Sequence, residues 1–175
     1  MIKNGKMTGT LTGGQAKDVL MLTNQFKSGV LQVPCEKVGN NKKHMIESIE
    51  VQTIKTKSKS ILNSGKLKVK VDVKMSGNIS ELKCSKLETR EDEVKFMRNV
   101  EQYMEKHLMK TIHLTQREKI DLLGIGNMLY RDHTKIWKKW KSDWDKRYSE
   151  ADFEVRVSVK ITNSLTTVEK PLYAK

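Results

Sequence analysis

Apolar and polar positions alternate most cleanly between Lys66 and Met75. Leu67, Val69, Val71, Val73 and Met75 point one way, while Lys66, Lys68, Lys70, Asp72 and Lys74 point the other. A strict period of two puts one face of a strand on a core and the other in water. Phe153, Val155, Val157, Val159 and Ile161 repeat the pattern against Glu154, Arg156, Ser158 and Lys160. From His44 to Leu62 the Ile, Val and Thr content predicts a long strand of imperfect alternation. Asn63-Ser64-Gly65 supplies a turn, so residues 44–75 read as a hairpin. Gly77 marks a bulge or bend before Ile79 and Leu82. Residues 6–12 read as a short strand, Val30–Val33 as another that Pro34 ends, and Glu36–Lys43 as a loop.

Elsewhere the period is helical. Thr12-Gly13-Gly14 opens a short amphipathic helix bearing Ala16, Val19, Leu20 and Leu22, which Ser28-Gly29 ends. Thr89-Arg90-Glu91-Asp92 reads as a helix start, with acids suited to the helix dipole. Val94, Met97, Val100, Met104, Leu108 and Ile112 follow at spacings of three and four. Thr115 with Glu118 either caps a new helix or belongs to the same one. The apolar face continues through Ile120, Leu122, Leu123, Ile125, Met128 and Leu129, where Gly124 and Gly126 each cost about 1 kcal/mol relative to alanine. That cost predicts close packing at one or both glycines; the alternative is a break, with one glycine at positive φ. Thr134 caps a last helix running to about Arg147, with Trp137, Trp140, Trp144 and Tyr148 inside an arc of about 80°. The favoured reading has the indoles covering the sheet, over an interfacial helix at a lipid boundary. A hairpin, then helices, then a returning strand predict an α+β fold: an antiparallel sheet of about four strands with about three helices packed mainly on one face.

The 175 residues fit about one domain. No stretch approaches the roughly 18 apolar residues of a spanning helix, and Met1–Gly14 has no apolar core of a signal peptide. His107 and His113, six apart, would point about 120° from each other on one helix and could not share a metal; solvent-exposed or capping roles are favoured for them. Cys35 and Cys84 match neither a zinc spacing nor a CxxC pair, and two free thiols are favoured over a disulfide. There is no GxSxG or HExxH, and Gly124-Ile125-Gly126 lacks both the third glycine and the preceding strand of a phosphate loop. The expectation is a non-enzyme without cofactor or metal. The net charge of +13 changes the picture in one respect. Lys66, Lys68, Lys70 and Lys74, with Lys55, Lys57 and Lys59 beside them, make a basic sheet face. Such a face suits a nucleic-acid-binding module, though a solvated face that guards against aggregation is favoured, because no aromatic there offers a stacking platform.

Several stretches then combine. Asp121-Leu122-Leu123-Gly124-Ile125-Gly126-Asn127-Met128-Leu129-Tyr130-Arg131 is followed by Trp137, Asp143-Trp144-Asp145 and a Val-alternating strand. Earlier come Thr10-Leu11-Thr12-Gly13, Gly29-Val30-Leu31, and the Lys66–Lys74 strand with its sequel Gly77-Asn78-Ile79-Ser80-Glu81. In order and spacing this resembles the C-terminal domain of spore germinant receptor C subunits, over most of residues 6–162. Thr134 stands where that family often has proline. The resemblance implies signature residues Asp121, Gly124, Gly126, Arg131, Trp137 and Trp144, of structural rather than catalytic role. It implies a non-enzymatic subunit of a nutrient receptor on the outer face of the spore's inner membrane, with membrane-embedded A- and B-type partners. Such proteins are lipoproteins, and this sequence has neither the signal peptide nor the acylated cysteine, so membrane contact is expected to be indirect or through a lipid anchor absent from this sequence. By the same resemblance, residues 1–29 are expected to be the remnant of a preceding domain, 30–165 the C-terminal domain and 166–175 an unstructured tail.

Overall fold

The computed structural model describes residues 1–3, 5–35, 45–63 and 65–162. The expected loop at Glu36–Lys43, Ser64 of the turn, and the tail at 166–175 lie outside them. Ile2–Lys3 (β1) and Lys6–Met7 (β2) pair as a small antiparallel ribbon, shorter than the strand expected over 6–12. Then come α1 (Gly13–Leu22), β3 (Gly29–Pro34), β4 (Ile46–Asn63), β5 (Lys66–Glu81) and α2 (Arg90–Arg117). Next follow α3 (Ile125–Asp132), α4 (Thr134–Trp140), a 3-10 turn (Lys141–Asp143), α5 (Trp144–Ser149) and β6 (Asp152–Ile161).

The fold is α+β, with a four-stranded sheet in the order β3-β4-β5-β6. β3 lies antiparallel to β4, Gly29 opposite Val51 and Pro34 opposite Ile46. β4 turns back into β5 at Gly65, whose φ of 79° is a conformation glycine adopts freely. The sheet is mixed, not antiparallel throughout. Lys68 meets Asp152 and Glu154, and further along both strands the Thr162 amide donates to the Gly77 carbonyl at 3.0 Å, so β6 runs in the same direction as β5. The physical reason is the connection: parallel neighbours need a long crossover, and the helical stretch between Glu81 and Asp152 provides one.

The chain divides into two compact units, to which β4, β5, α2 and β6 each contribute part of their length. The first unit holds residues 1–26, 55–73 and 105–156. Leu67, Val69, Val71 and Val73 are buried here with Leu108, Ile112, Leu129 and Tyr148. α1 opens with the expected cap, Thr12 and Gln15 each accepting from the other's backbone amide. Its buried face carries Asp18, Met21 and Leu22, while Ala16 and Leu20 are exposed. It ends earlier than Ser28-Gly29, at left-handed Asn24 (φ 59°), where Gln25 N–H reaches back to the Leu20 carbonyl. α2 passes through Thr115, which caps nothing: its buried hydroxyl donates to the Ile112 carbonyl (2.7 Å) and accepts from the Tyr148 phenol (2.7 Å). Burial pushes the Tyr148 phenol well above its ordinary pKa. The helix stops at Lys119 (φ 54°), with Ile120 N–H on the Thr115 carbonyl and Lys119 N–H on that of Gln116. The apolar run after it is therefore a loop and a second helix.

The second unit holds residues 27–54, 74–104 and those from Val157 on. Ile49, Val51, Met75, Phe96, Val100 and Met104 are buried in it. Thr89 and Asp92 cap α2 as expected, the Asp92 amide donating to the Thr89 hydroxyl and the Thr89 amide and hydroxyl to the Asp92 carboxylate. Those bonds hold Asp92 below the usual carboxylate range. Phe96 occupies the core, whereas Val94 and Met97 are half-buried. The phase of β4 slips between buried Val51 and buried Ile54, with Gln52 and Thr53 both exposed. A one-residue slip is what a bulge produces, and it falls on β4; Gly77 stays within β5, where a Cβ would run into the Glu50 carbonyl oxygen.

Candidate functional site

Within the first unit, the loop after α2 brings together five of the six residues expected as signatures. Asp121 Oδ1 accepts from the Ile125 amide at 3.0 Å and Oδ2 from the Gly126 amide at 2.7 Å, which satisfies two orphan donors at the start of α3. Oδ2 also accepts from Trp144 Nε1 at 3.2 Å. One carboxylate thus fixes a helix end and an indole at once.

The two glycines divide the roles foreseen for them. Gly124, at φ 70°, is the break ahead of α3 and has open space where a Cβ would lie. Gly126 is the close approach: a Cβ there would sit 3.0 Å from the Trp137 ring and from Trp144 Nε1. Trp137 and Trp144 meet edge to face with centroids 5.3 Å apart, Trp144 lies 6.1 Å from Tyr148, and Tyr148 lies 5.9 Å from Phe153 of β6. Arg131 is exposed near the end of α3 and does not join the cluster. The tryptophan helix is not continuous but is interrupted by the 3-10 turn, and Thr134 donates its hydroxyl to the Tyr130 carbonyl at 2.8 Å instead of capping α4.

Trp140 stands apart from the aromatic row. Arg147 stacks on its ring at 4.4 Å and pairs with Asp143 at 2.9 Å, which holds Asp143 below the usual carboxylate range. The two side a recess of about 320 Å³, together with Lys66, Glu150 and Asp152. Charges of both signs line it, and Arg147 is already engaged.

On the outer face of the same unit, the lysine row is partly neutralised from β6. Lys68 lies 3.1 Å from Glu154 and 3.3 Å from Asp152, and Lys70 lies 3.8 Å from Glu154. These carboxylates hold the Lys68 ammonium above its ordinary pKa, and Lys68 holds Glu154 below the usual carboxylate range. Lys55, Lys57 and Lys59 are exposed. Paired lysines are poorer at tracking phosphates, because a contact must first displace a carboxylate.

Two polar groupings depart from the expectations. Buried Asp18 of α1 accepts from the Thr111 hydroxyl at 2.6 Å and lies 2.8 Å from His107 Nδ1, both on α2. Burial pushes its carboxyl above the usual carboxylate range. His107 is therefore half of an acid–imidazole pair and not simply a surface residue; a carboxylate sharing the face of Met21 and Leu22 was the available signal. In the second unit Cys35 and Cys84 form a disulfide, Cα–Cα 6.1 Å, which corrects the expectation of free thiols. β3–β4 pairing continues to Cys35, whose amide donates to the Met45 carbonyl. The segment after β5 is tied to buried Glu47, which accepts from the amides of Cys84 (3.2 Å) and Ser85 (2.6 Å). Forty-nine residues of sequence separation concealed a proximity that the sheet creates.

The chain is an α+β fold in which Asp121, Gly126, Trp137 and Trp144 meet in one aromatic cluster. The chain belongs to the family described as spore germination B3/GerAC like, C-terminal, whose model matches residues 1–165. It is 28% identical over 175 residues to spore germination protein B3 of Bacillus subtilis (strain 168), covering 93% of this chain and 43% of that protein. It is 23% identical over 167 residues to spore germination protein YndF of the same strain, covering 92% of this chain and 39% of the relative. A 45-residue stretch is 38% identical to spore germination protein KC of that strain, or 26% of this chain and 11% of the relative. The crystal structure of the GerBC protein shares the fold, with a TM-score of 0.77 at 24% identity over 91% of this chain and 48% of that one. The chain thus spans less than half the length of these relatives.

Proposed function

We propose that this chain is part of a spore germinant receptor, as its C-type subunit. In this reading it carries out no catalysis. It assembles with membrane-embedded A- and B-type subunits on the outer face of the spore's inner membrane, where the complex senses nutrients and triggers germination. The observation that carries the reading is the family match across residues 1–165. Two features support it. Asp121, Gly126, Trp137 and Trp144 are engaged with one another, so the signature positions serve as scaffold. Among the described residues no helix is long and apolar enough to cross a membrane, in keeping with a receptor whose spanning segments belong to the A- and B-type subunits.

Disrupting the encoding gene tests this directly. Spores lacking it should lose the response to at least one nutrient, still germinate with a non-nutrient trigger, and recover when the gene is restored. An affinity-tagged chain should bring multi-span subunits out of detergent-solubilised spore membranes. Undiminished germination with every nutrient, and a tagged chain recovered with DNA instead, would sink the proposal and favour the nucleic-acid reading.

A further inference from the structure

Glu47 occupies a core position. It keeps phase with Ile49 and Val51 on β4 and is only 4% exposed. A carboxylate so placed must be compensated. Its Oε1 accepts from the Cys84 and Ser85 amides, but among the described residues its Oε2 accepts only from the Ser85 hydroxyl, at 3.1 Å. None of the ion pairs among the described residues includes it. Beside it stand Cys35 and Cys84, and the two sulfurs and a carboxylate oxygen all lie within 4.8 Å of one another.

A disulfide does not need a buried carboxylate as its neighbour, whereas a thiophilic cation does well with one. Ligands held about 2.0–2.3 Å from a tetrahedral zinc lie roughly 3.3–3.8 Å from each other, a spacing this cluster accommodates once the sulfurs separate. The hydrogen bonds to Glu47 fix its orientation, as outer-shell donors do for metal-binding carboxylates.

We propose that in the reduced chain Cys35 Sγ, Cys84 Sγ and Glu47 Oε2 bind a divalent cation of the zinc class, with water as fourth ligand, and that disulfide formation expels it. On loading, each thiol gives its proton to solvent as its metal–sulfur bond forms, so one divalent ion replaces two protons. On release, an oxidant of the disulfide class takes two electrons from the two thiolates and, with two protons from solvent, becomes a dithiol. The Cys35–Cys84 bond forms, both metal–sulfur bonds break, and the ion leaves.

The test uses the whole chain, reduced with a phosphine under anaerobic conditions and titrated with cobalt(II) alone. One cobalt per chain should bind with a thiolate-to-metal charge-transfer band, which zinc displaces and which the oxidised chain lacks. Cys35→Ser and Cys84→Ser should each abolish the band. Glu47→Gln keeps a carbonyl acceptor for the backbone amides and should weaken cobalt by about tenfold or more. Circular dichroism of each variant checks folding, and zinc should raise the melting temperature of the reduced parent but not of Cys35→Ser. No charge-transfer band in the reduced parent, a band that survives in a folded serine variant, or unchanged affinity in Glu47→Gln would each overturn the assignment.

Discussion

At the scale of single residues, Gly124 and Gly126 stand two apart and yet answer to different physics. Gly124 has a left-handed backbone and open space, whereas Gly126 has a helical backbone and two indoles where a Cβ would go. Gly126→Ala should cost about 1–3 kcal/mol by overpacking, and Gly126→Asn more. At Gly124 the order reverses: asparagine tolerates positive φ better than alanine, so Gly124→Asn should be the milder of the two there. Urea melts of the four variants check this, and a common ranking at both positions would mean the roles are misassigned. The sequence revealed that each glycine carried a cost, but not which cost was which. That depended on where α2 ends, and it ends at a lysine. Lys119 takes the left-handed position that glycine usually marks, so no glycine or proline between residues 115 and 123 marked the stop. Asp18 was obscure for a related reason: its partners Thr111 and His107 lie on a helix about ninety residues later.

At the scale of elements, period-two strands were the most readable, because strict alternation fixes both the element and its buried face. Leu67 to Met75 and Phe153 to Val159 are buried as the pattern requires. Direction was not readable, since alternation looks the same in parallel and antiparallel strands. The cap of α2 was legible from Thr89 and Asp92 and yields a pH-dependent prediction. Thr89→Ala should cost about 1 kcal/mol at neutral pH. Asp92 is held below its ordinary pKa, so its contribution is present above about pH 4 and is lost as pH falls through the depressed value. Thr89→Ala removes the main cause of that depression, so the gap between parent and variant should narrow in acid; denaturant midpoints at neutral pH and near pH 3 measure it. The tryptophan segment was expected as one helix whose indoles cover the sheet; it is three short pieces, in which Trp137 and Trp144 pack on each other and on Gly126, and the aromatic row reaches β6 through Tyr148 and Phe153. With Trp140 9% exposed and Trp137 and Trp144 packed edge to face, native emission should be blue-shifted, and anionic vesicles should leave it unchanged. A lipid-dependent shift would instead place the indoles at a membrane surface.

At the scale of the whole molecule, the disulfide is the largest constraint that the sequence understated. Cys35 and Cys84 are 49 residues apart, and closing a loop of that size stabilises by about 2–4 kcal/mol. A Cys35→Ser/Cys84→Ser double variant should fall by that amount in urea unfolding, and a loss within error would show that the bond restrains nothing. The family identity, by contrast, was legible from short stretches in their order, and four residues within them, Asp121, Gly126, Trp137 and Trp144, meet in one aromatic cluster. The sense of β6 and the position of the disulfide were not, because both depend on how separate segments meet.

The parallel placement of β6 also bears on how the chain reaches its native state. The β4–β5 hairpin closes through a tight turn at Gly65, a local event on the scale of about 1–10 μs. β6 must instead find β5 across a loop in which Thr162 meets Gly77 from 85 residues away, and closure entropy has to be overcome before any of its contacts form. Until then the free edge of β5 is open to pairing with another molecule. Lys66, Lys68, Lys70 and Lys74 stand along that edge, where charge discourages such pairing. Before Asp152 and Glu154 arrive to meet Lys68 and Lys70, the repulsion of the four lysines keeps nascent chains apart.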